Sequence, residues 1–198
     1  IDCRDLMVVP DPKGKGFYGF FATRVPGDEL PLTSAVAVAY SPDLIHWEQR
    51  PPAFVGSRYS CLEVPNVFQL NGKWYLTCLT GNYYGNRDCF DDPNVANGTM
   101  FAVSDRPEGP YHETGDNLLL GATHDSPITV RTFTFDGETY ILYTDRERSG
   151  FTNGGELTFG TISTPKLLRT RGDQLIVVYS PRIECEISGE PIGKNAPP

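Results

Sequence analysis

The 198-residue sequence has no apolar run approaching the roughly 18–20 residues that cross a bilayer as a helix, so no membrane-spanning helix is expected. Helical periodicity is nearly absent: apolar residues do not recur at three- and four-residue spacing, which argues against a helical bundle. Positive charge is short. Seventeen Lys and Arg against 25 Asp and Glu leave a formal charge of −8, a balance that argues against nucleic acid or an anionic membrane as the main partner. The five cysteines (Cys3, Cys61, Cys78, Cys89, Cys185) lack any Cys-x-x-Cys spacing, so a zinc site is not expected, and no other metal or cofactor is implied. Their odd number leaves at least one thiol without an internal partner and the compartment open. Neither an initiator Met nor a signal-peptide pattern opens the sequence. It begins at Ile1, directly in what reads as a strand, which points to processing or to a piece of a longer chain. Asn97-Gly98-Thr99 fits a glycosylation acceptor, relevant only if the protein is secreted.

What is present is a pattern of short β-rich runs separated by turns. Hydrophobic residues reach 39%, aromatics 12%, and there are 20 Gly and 17 Pro, a composition of a folded, turn-rich protein. Three segments share one plan. The first runs Arg4-Asp5-Leu6-Met7-Val8-Val9, turns through Asp11–Gly16 and continues Phe17-Tyr18-Gly19-Phe20-Phe21. The second runs Glu63-Val64-Pro65-Asn66-Val67-Phe68, turns at Asn71-Gly72 and continues Trp74-Tyr75-Leu76-Thr77. The third starts at Asp125, passes Val130-Arg131-Thr132-Phe133, turns at Asp136-Gly137 and continues Tyr140-Ile141-Leu142-Tyr143. Asn-Gly and Asp-Gly predict two-residue hairpins, because a type I′ turn needs φ > 0 at both central residues. Each segment then leads to a further apolar strand (residues 35–40, 100–104 and 156–162) and an outer element. Starts about 60 residues apart suit four-stranded propeller blades with long loops. A β-sandwich is the alternative, disfavoured because the units repeat in kind and order. The expected blades are roughly 1–55, 60–120 and 121–180, with 181–198 a C-terminal extension or the start of a following segment.

In a propeller the innermost strands line a central channel, and their starts face one mouth. The repeat therefore gathers Asp5, Glu63 and Asp125 around one axis. Converging carboxylates suit glycosidic cleavage: one protonates the leaving oxygen, and another stays ionised to attack or to stabilise positive charge on the ring.

Here the residues resemble a known family. Arg4-Asp5 opens an inner strand, Ser41-Pro42-Asp43-Leu44-Ile45-His46-Trp47-Glu48 closes that blade, and Leu62-Glu63-Val64-Pro65-Asn66 opens the next. The order resembles the five-bladed β-propeller enzymes of glycoside hydrolase family 32 (invertase, inulinase, levanase) and the related families 43 and 68. Family 32 carries an Arg-Asp-Pro motif, a Ser-x-Asp-Leu-x-x-Trp blade ending and a Glu-Cys-Pro motif in that order. The resemblance covers roughly residues 1–180. It implies an all-β, five-bladed propeller of which this chain supplies about three blades. It further implies that Asp5 is the transition-state stabiliser, that Arg4 orients the carboxylates and contacts substrate, and that Glu63 is the general acid/base. Asp125 corresponds loosely to a sugar-contacting Asp.

Two departures stand out. Leu6 and Val64 replace the Pro and Cys of the two motifs. The nucleophilic Asp, which in the family precedes Arg-Asp on the first blade, has no counterpart in this sequence. Retention needs that carboxylate about 5–5.5 Å from the acid, so the chain alone is expected to be inactive. Three blades do not close a propeller, and a second segment, chain or partner protomer is expected to complete it. The implied activity is hydrolysis or transfer of a furanosyl residue, β-fructofuranosyl first. A family 43-like arabinofuranosidase or xylosidase and a non-catalytic carbohydrate-binding propeller are the alternatives. Further substrate contacts are expected from Asn82 and Tyr83, in a loop both aromatic and polar, and from Arg131, which on an inner strand is expected to meet a channel carboxylate.

Overall fold

The structure, a computed structural model, describes residues 3–26, 33–59, 61–81, 97–122, 129–145, 156, 161–180 and 183. Three antiparallel sheets follow one another along the chain. The first contains β1 (Arg4–Pro10), β2 (Phe17–Val25), β3 (Thr33–Ser41) and β4 (Glu48–Gln49) in that order, with β5 (Phe54–Gly56) also paired to β3. The second is β6 (Glu63–Leu70), β7 (Lys73–Gly81), β8 (Asn97–Ser104) and β9 (Leu118–Ala122). In the third, β10 (Val130–Phe135), β11 (Glu138–Asp145), β13 (Lys166–Arg171) and β14 (Gln174–Val178) lie in order, and β12 (Thr161–Ile162) pairs with β11. The two-residue turns behave as their sequences require: Asn71 and Gly72 have φ of 50° and 82°, Asp136 and Gly137 of 52° and 75°. One strand departs from the sequence pattern. Residues 166–171, which read as a connection before the outer element, form β13 and pair with both β11 and β14. Lys166, Arg169 and Arg171 mask the pattern, since only Leu168 of this strand is fully buried.

The side-chain period of two explains how the sheets stack. Along β7, Trp74, Leu76 and Cys78 face one way into a core shared with Phe20, Val36, Val38 and Phe54 of the first sheet. Tyr75, between them, faces the other way into a core with Val130, Ile141, Leu168 and Leu175 of the third sheet. On β8, Met100 and Ala102 join the first core, Phe101 and Val103 the second. The middle sheet is thus buried on both faces, and each such side chain contributes about 1.5–3 kcal/mol. Among the described residues, the flanking sheets are covered on one face only. Leu6, Val8, Ile45, Trp47 and Val55 are exposed on the first sheet, and Phe135, Ile162, Val178 and Tyr179 are exposed on or beside the third. The inner strand β6 lies between β1 and β10, in contact with each, so their starts share one end.

The Ser41–Trp47 segment folds as a self-capped turn. Ser41 Oγ accepts from the backbone N–H of Leu44 (2.8 Å) and Asp43 (3.3 Å). Asp43 Oδ1 accepts from His46 N (2.8 Å) and Ile45 N (2.9 Å), and its Oδ2 meets His46 Nδ1 at 2.7 Å. Leu44 takes φ 66°, and its carbonyl accepts from Trp47 Nε1 at 3.2 Å. Trp47 thereby packs on Gly19, where a Cβ would come within 2.8 Å of the indole. The acceptor sequon has a different fate: Asn97 is only 1% exposed within β8, so the folded chain offers no room for a glycan there.

Gly98 packs so that a Cβ would lie 2.3 Å from the Leu120 carbonyl oxygen. Gly98→Ala is expected to destabilise the second sheet by about 1–3 kcal/mol, read as a lower urea midpoint. The backbone N–H of His46, then its side chain, then the N–H of Ile45 hold the Asp43 carboxyl well below the usual carboxylate range. A depressed folded pKa stabilises the turn fully above the unfolded value of about 3.9 and loses that contribution as pH falls through the folded value. Trp47 emission is expected to stay constant from neutral pH to about pH 4 and then move toward that of Asp43→Ala.

Candidate active site

β1 and β6 begin with the same irregularity. Arg4 pairs with Ala22 and Met7 with Phe20, a register shift that accommodates one extra residue, and Asp5 takes φ 62°. Glu63 pairs with Leu79 and Asn66 with Thr77, and Val64 takes φ 50°. Both strands therefore open on a bulge with a left-handed residue. The equivalences follow the sequence repeat, whose first two units start at Arg4 and Glu63. Arg4 occupies on β1 the place Glu63 occupies on β6, and Asp5 occupies the place of Val64. The two carboxylates thus sit at staggered depths rather than at matching ones.

Asp tolerates the left-handed region. Val, being β-branched, does not, and such a residue costs on the order of 1–3 kcal/mol. The neighbouring sheets supply the compensation. Val64 N–H donates to Asp5 Oδ2 at 3.0 Å. From the third sheet, Arg131 Nη1 donates to the carbonyls of Val64 (3.3 Å) and Pro65 (2.9 Å). Pro65 has no N–H to lose where the ladder is broken. Below it, the amide of buried Asn66 donates to Thr132 Oγ1 at 3.2 Å, a second link between β6 and β10.

Arg4 lies across both carboxylates. Its Nη2 donates to Glu63 Oε1, and its Nε stands 3.8 Å from Asp5 Oδ2. The Arg4, Asp5 and Glu63 side chains are 44%, 27% and 23% exposed, so the group is partly desolvated yet open to a ligand. Asp5 Oδ1 and Glu63 Oε2 have no hydrogen bond among the described residues. Among the described residues, each carboxylate therefore has one oxygen bonded and one without a partner. The chemistry these groups can do is to accept from sugar hydroxyls, stabilise developing positive charge and exchange a proton at Oε2. Cys78 does not join in: burial, then neighbouring Cys61, push its thiol up, so it stays protonated and packs in the core.

The structure brings Arg4, Asp5, Glu63 and Arg131 together. Arg131 differs from the sequence expectation in its partners, donating to backbone carbonyls rather than to a carboxylate side chain. Partial burial lowers its pKa while the Asp5 charge raises it. Asn82, Tyr83 and Asp125 lie outside the described residues. Gly81, which precedes Asn82, closes β7 two residues beyond Leu79, the partner of Glu63, and so lies at the same mouth. The recess lined by Arg4, Thr23, Ser34 and Glu63 measures only about 20 Å³, far below the roughly 300–1,000 Å³ of ligand pockets. Sequence reasoning missed Val64 and Asn66. Asn66 has a visible signal, a lone amide inside an apolar inner strand. Val64 has none, because its contribution comes from its backbone.

No protein-family model and no curated protein sequence matches the chain. Solved structures match its fold. An inulosucrase from Halalkalicoccus jeotgali, bound to kestose, superposes with a TM-score of 0.69 at 21% identity, over 90% of this chain and 50% of that one. A GH32 β-fructofuranosidase of Bombyx mori gives 0.65 at 18% identity, over 92% of this chain and 38% of that one. An endo-arabinase from Bacteroides thetaiotaomicron gives 0.59 at 18%, over 91% and 55%. The chain spans about half the length of these proteins or less. The fold is that of the β-propeller glycosidases, and the three sheets are blades.

Arg131→Met removes both hydrogen bonds to the Val64 and Pro65 carbonyls. Because the site is open to solvent, a stability loss of about 1 kcal/mol is expected, measured by urea unfolding, with Arg131→Lys intermediate.

Proposed function

We propose that the protein is a glycoside hydrolase or transglycosylase acting on furanosyl linkages, β-fructofuranosyl first, with retention. The observation that carries this reading is the placement of Arg4 across Asp5 and Glu63 at one propeller mouth, with one oxygen of each carboxylate without a partner among the described residues.

In this reading Glu63 is the acid/base. Oε1 is anchored by Arg4, and Oε2 delivers the proton to the departing glycosidic oxygen. Asp5 is the transition-state stabiliser. The Val64 N–H holds Oδ2, and Oδ1 takes sugar hydroxyls whose bonds tighten as the ring gains oxocarbenium character. Arg4 sets the spacing of the two carboxylates and contacts substrate. Arg131 acts through the Val64 bulge and is a positioning residue. Asn82, Tyr83 and Asp125 complete the sugar subsite. The nucleophilic carboxylate comes from outside this chain, from a segment or partner whose blades cover the apolar faces bearing Leu6, Val8 and Trp47 on one side and Phe135 and Tyr179 on the other.

The endo-arabinase likeness supports a second reading, a family 43-like arabinofuranosidase or xylosidase. The distance from Glu63 to the completing carboxylate separates the two: about 5–5.5 Å for retention, about 6.5–9.5 Å for inversion. A propeller with no such carboxylate is a carbohydrate-binding module.

In the complete protein, Glu63→Gln is expected to lower turnover of a fructofuranoside by about 10²–10⁴-fold while leaving sugar affinity intact. Steady-state kinetics with equilibrium binding checks this, and a wild-type rate removes Glu63 from the mechanism.

A further inference from the structure

The far end of the first two blades holds a second concave site. Six residues of extended strand separate Asp5 from Asp11, about 20 Å at 3.3 Å per residue, so the two lie at opposite mouths. There a cavity of about 660 Å³ opens between the β1–β2 turn and β3 on one side and the chain following β8 on the other. It falls within the volume range of small-ligand sites.

Its walls are pinned. Asp11 is only 7% exposed. Its backbone N–H donates to Gly16 O (2.8 Å), and its carboxylate accepts from Lys13 N (2.9 Å) and from the Tyr40 hydroxyl (3.5 Å). A Cβ on Gly16 would lie 2.4 Å from the Ser41 carbonyl, so the turn packs directly on the end of β3. Tyr18 and Tyr40 meet edge to face with centroids 5.2 Å apart, which turns ring surface toward the cavity. The Arg50 guanidinium sits 5.7 Å from the Tyr40 centroid. On the opposite wall, Arg106 is fixed by Nε and Nη2 donating to Gly109 O at 3.1 and 2.8 Å.

The charge of this cavity runs against that of the chain. Lys13, Lys15, Arg50 and Arg106 line it against two carboxylates, Asp11 and Glu108, while the chain as a whole carries −8. Both acids are engaged, Asp11 as above and Glu108 with Arg106 at 3.7 Å. The Lys13 and Lys15 ammonium groups have no ion pair among the described residues. Arg50 pairs with Glu48 at 3.0 Å, so the charge left to a ligand is that of Lys13 and Lys15, which an anion compensates and a neutral ligand does not. Ring faces beside hydrogen-bonding cations and a buried carboxylate suit a sugar ring.

We propose that this groove binds an anionic saccharide, with a ring against Tyr18 and Tyr40 and its acid group between Lys13 and Lys15. The saccharide part of the proposal rests on the glycosidase reading; the anion part rests on the cavity itself. In a polymer-acting enzyme the groove would hold a charged stretch of the chain away from the bond being cut.

The test is a titration of the purified protein with tri-galacturonate, a sulfated disaccharide and a neutral fructotriose, followed by amide shifts. Saturable shifts at residues 11–16 and 106–109 with a charged probe are expected. Which charged probe binds tells carboxylated from sulfated ligands. Lys13→Glu/Lys15→Glu changes two exposed turn residues and is expected to weaken binding at least about tenfold, and wild-type affinity is expected to fall as salt is raised. Binding at the groove is expected to be unchanged in Glu63→Gln, so a failure of the catalytic reading registers in turnover and not here. Absence of saturable shifts with both charged probes, equal binding of the neutral one, or charge reversal without effect would overturn the proposal.

Discussion

The backbone of one residue holds the candidate site in register. Val64 sits in a conformation that its branched side chain resists, and there its N–H meets Asp5 of the first blade while its carbonyl meets Arg131 of the third. Three sheets that pack largely through apolar side chains are joined at this point by directional bonds, beside the Arg4–Glu63 and Asn66–Thr132 links. Apolar packing is tolerant of small slides, whereas a hydrogen bond at 3.0 Å is not. The separation of Asp5 from Glu63 depends on it, because Glu63 immediately precedes Val64 and Asp5 is bonded to it.

The stacking that brings these strands together follows from alternation. With both faces of β7 and β8 apolar, the second sheet is stable only between two others, and the first and third sheets supply one covering face each. The same logic leaves the outer faces of the flanking blades apolar and exposed. The two mouths then differ in kind. At one, strand starts and bulges aim carboxylates at a shared space. At the other, hairpin turns and the chain after β8 present cations and rings. A radial sheet arrangement separates these chemistries by the length of a strand, so each mouth keeps its own electrostatic character.

Much of the fold was legible. The Asn71-Gly72 and Asp136-Gly137 turns, the alternating apolar runs and the spacing of about 60 residues all report local physics that acts within one hairpin or one blade. The blade ending was legible as a motif, and its physical basis is local as well: Ser41, Asp43 and His46 satisfy one another's backbone within a single turn. β13 was not legible, because its basic residues hide the pattern and its pairing partners on β11 lie more than twenty residues earlier. The bulges that open β1 and β6 escaped as well. A bulge changes the register without altering the order of residue types.

Local sequence determined which residues form strands and turns, which faces are apolar, and that acidic residues stand at the starts of inner strands. These are properties of a residue and its near neighbours. Only the tertiary structure decided that Arg4 spans two carboxylates, that Arg131 spends its guanidinium on backbone carbonyls, and that Lys13, Lys15, Arg50 and Arg106 share one cavity. Each of those arrangements brings together segments of different sheets, and their geometry follows from how the sheets twist and stack, which no single segment encodes.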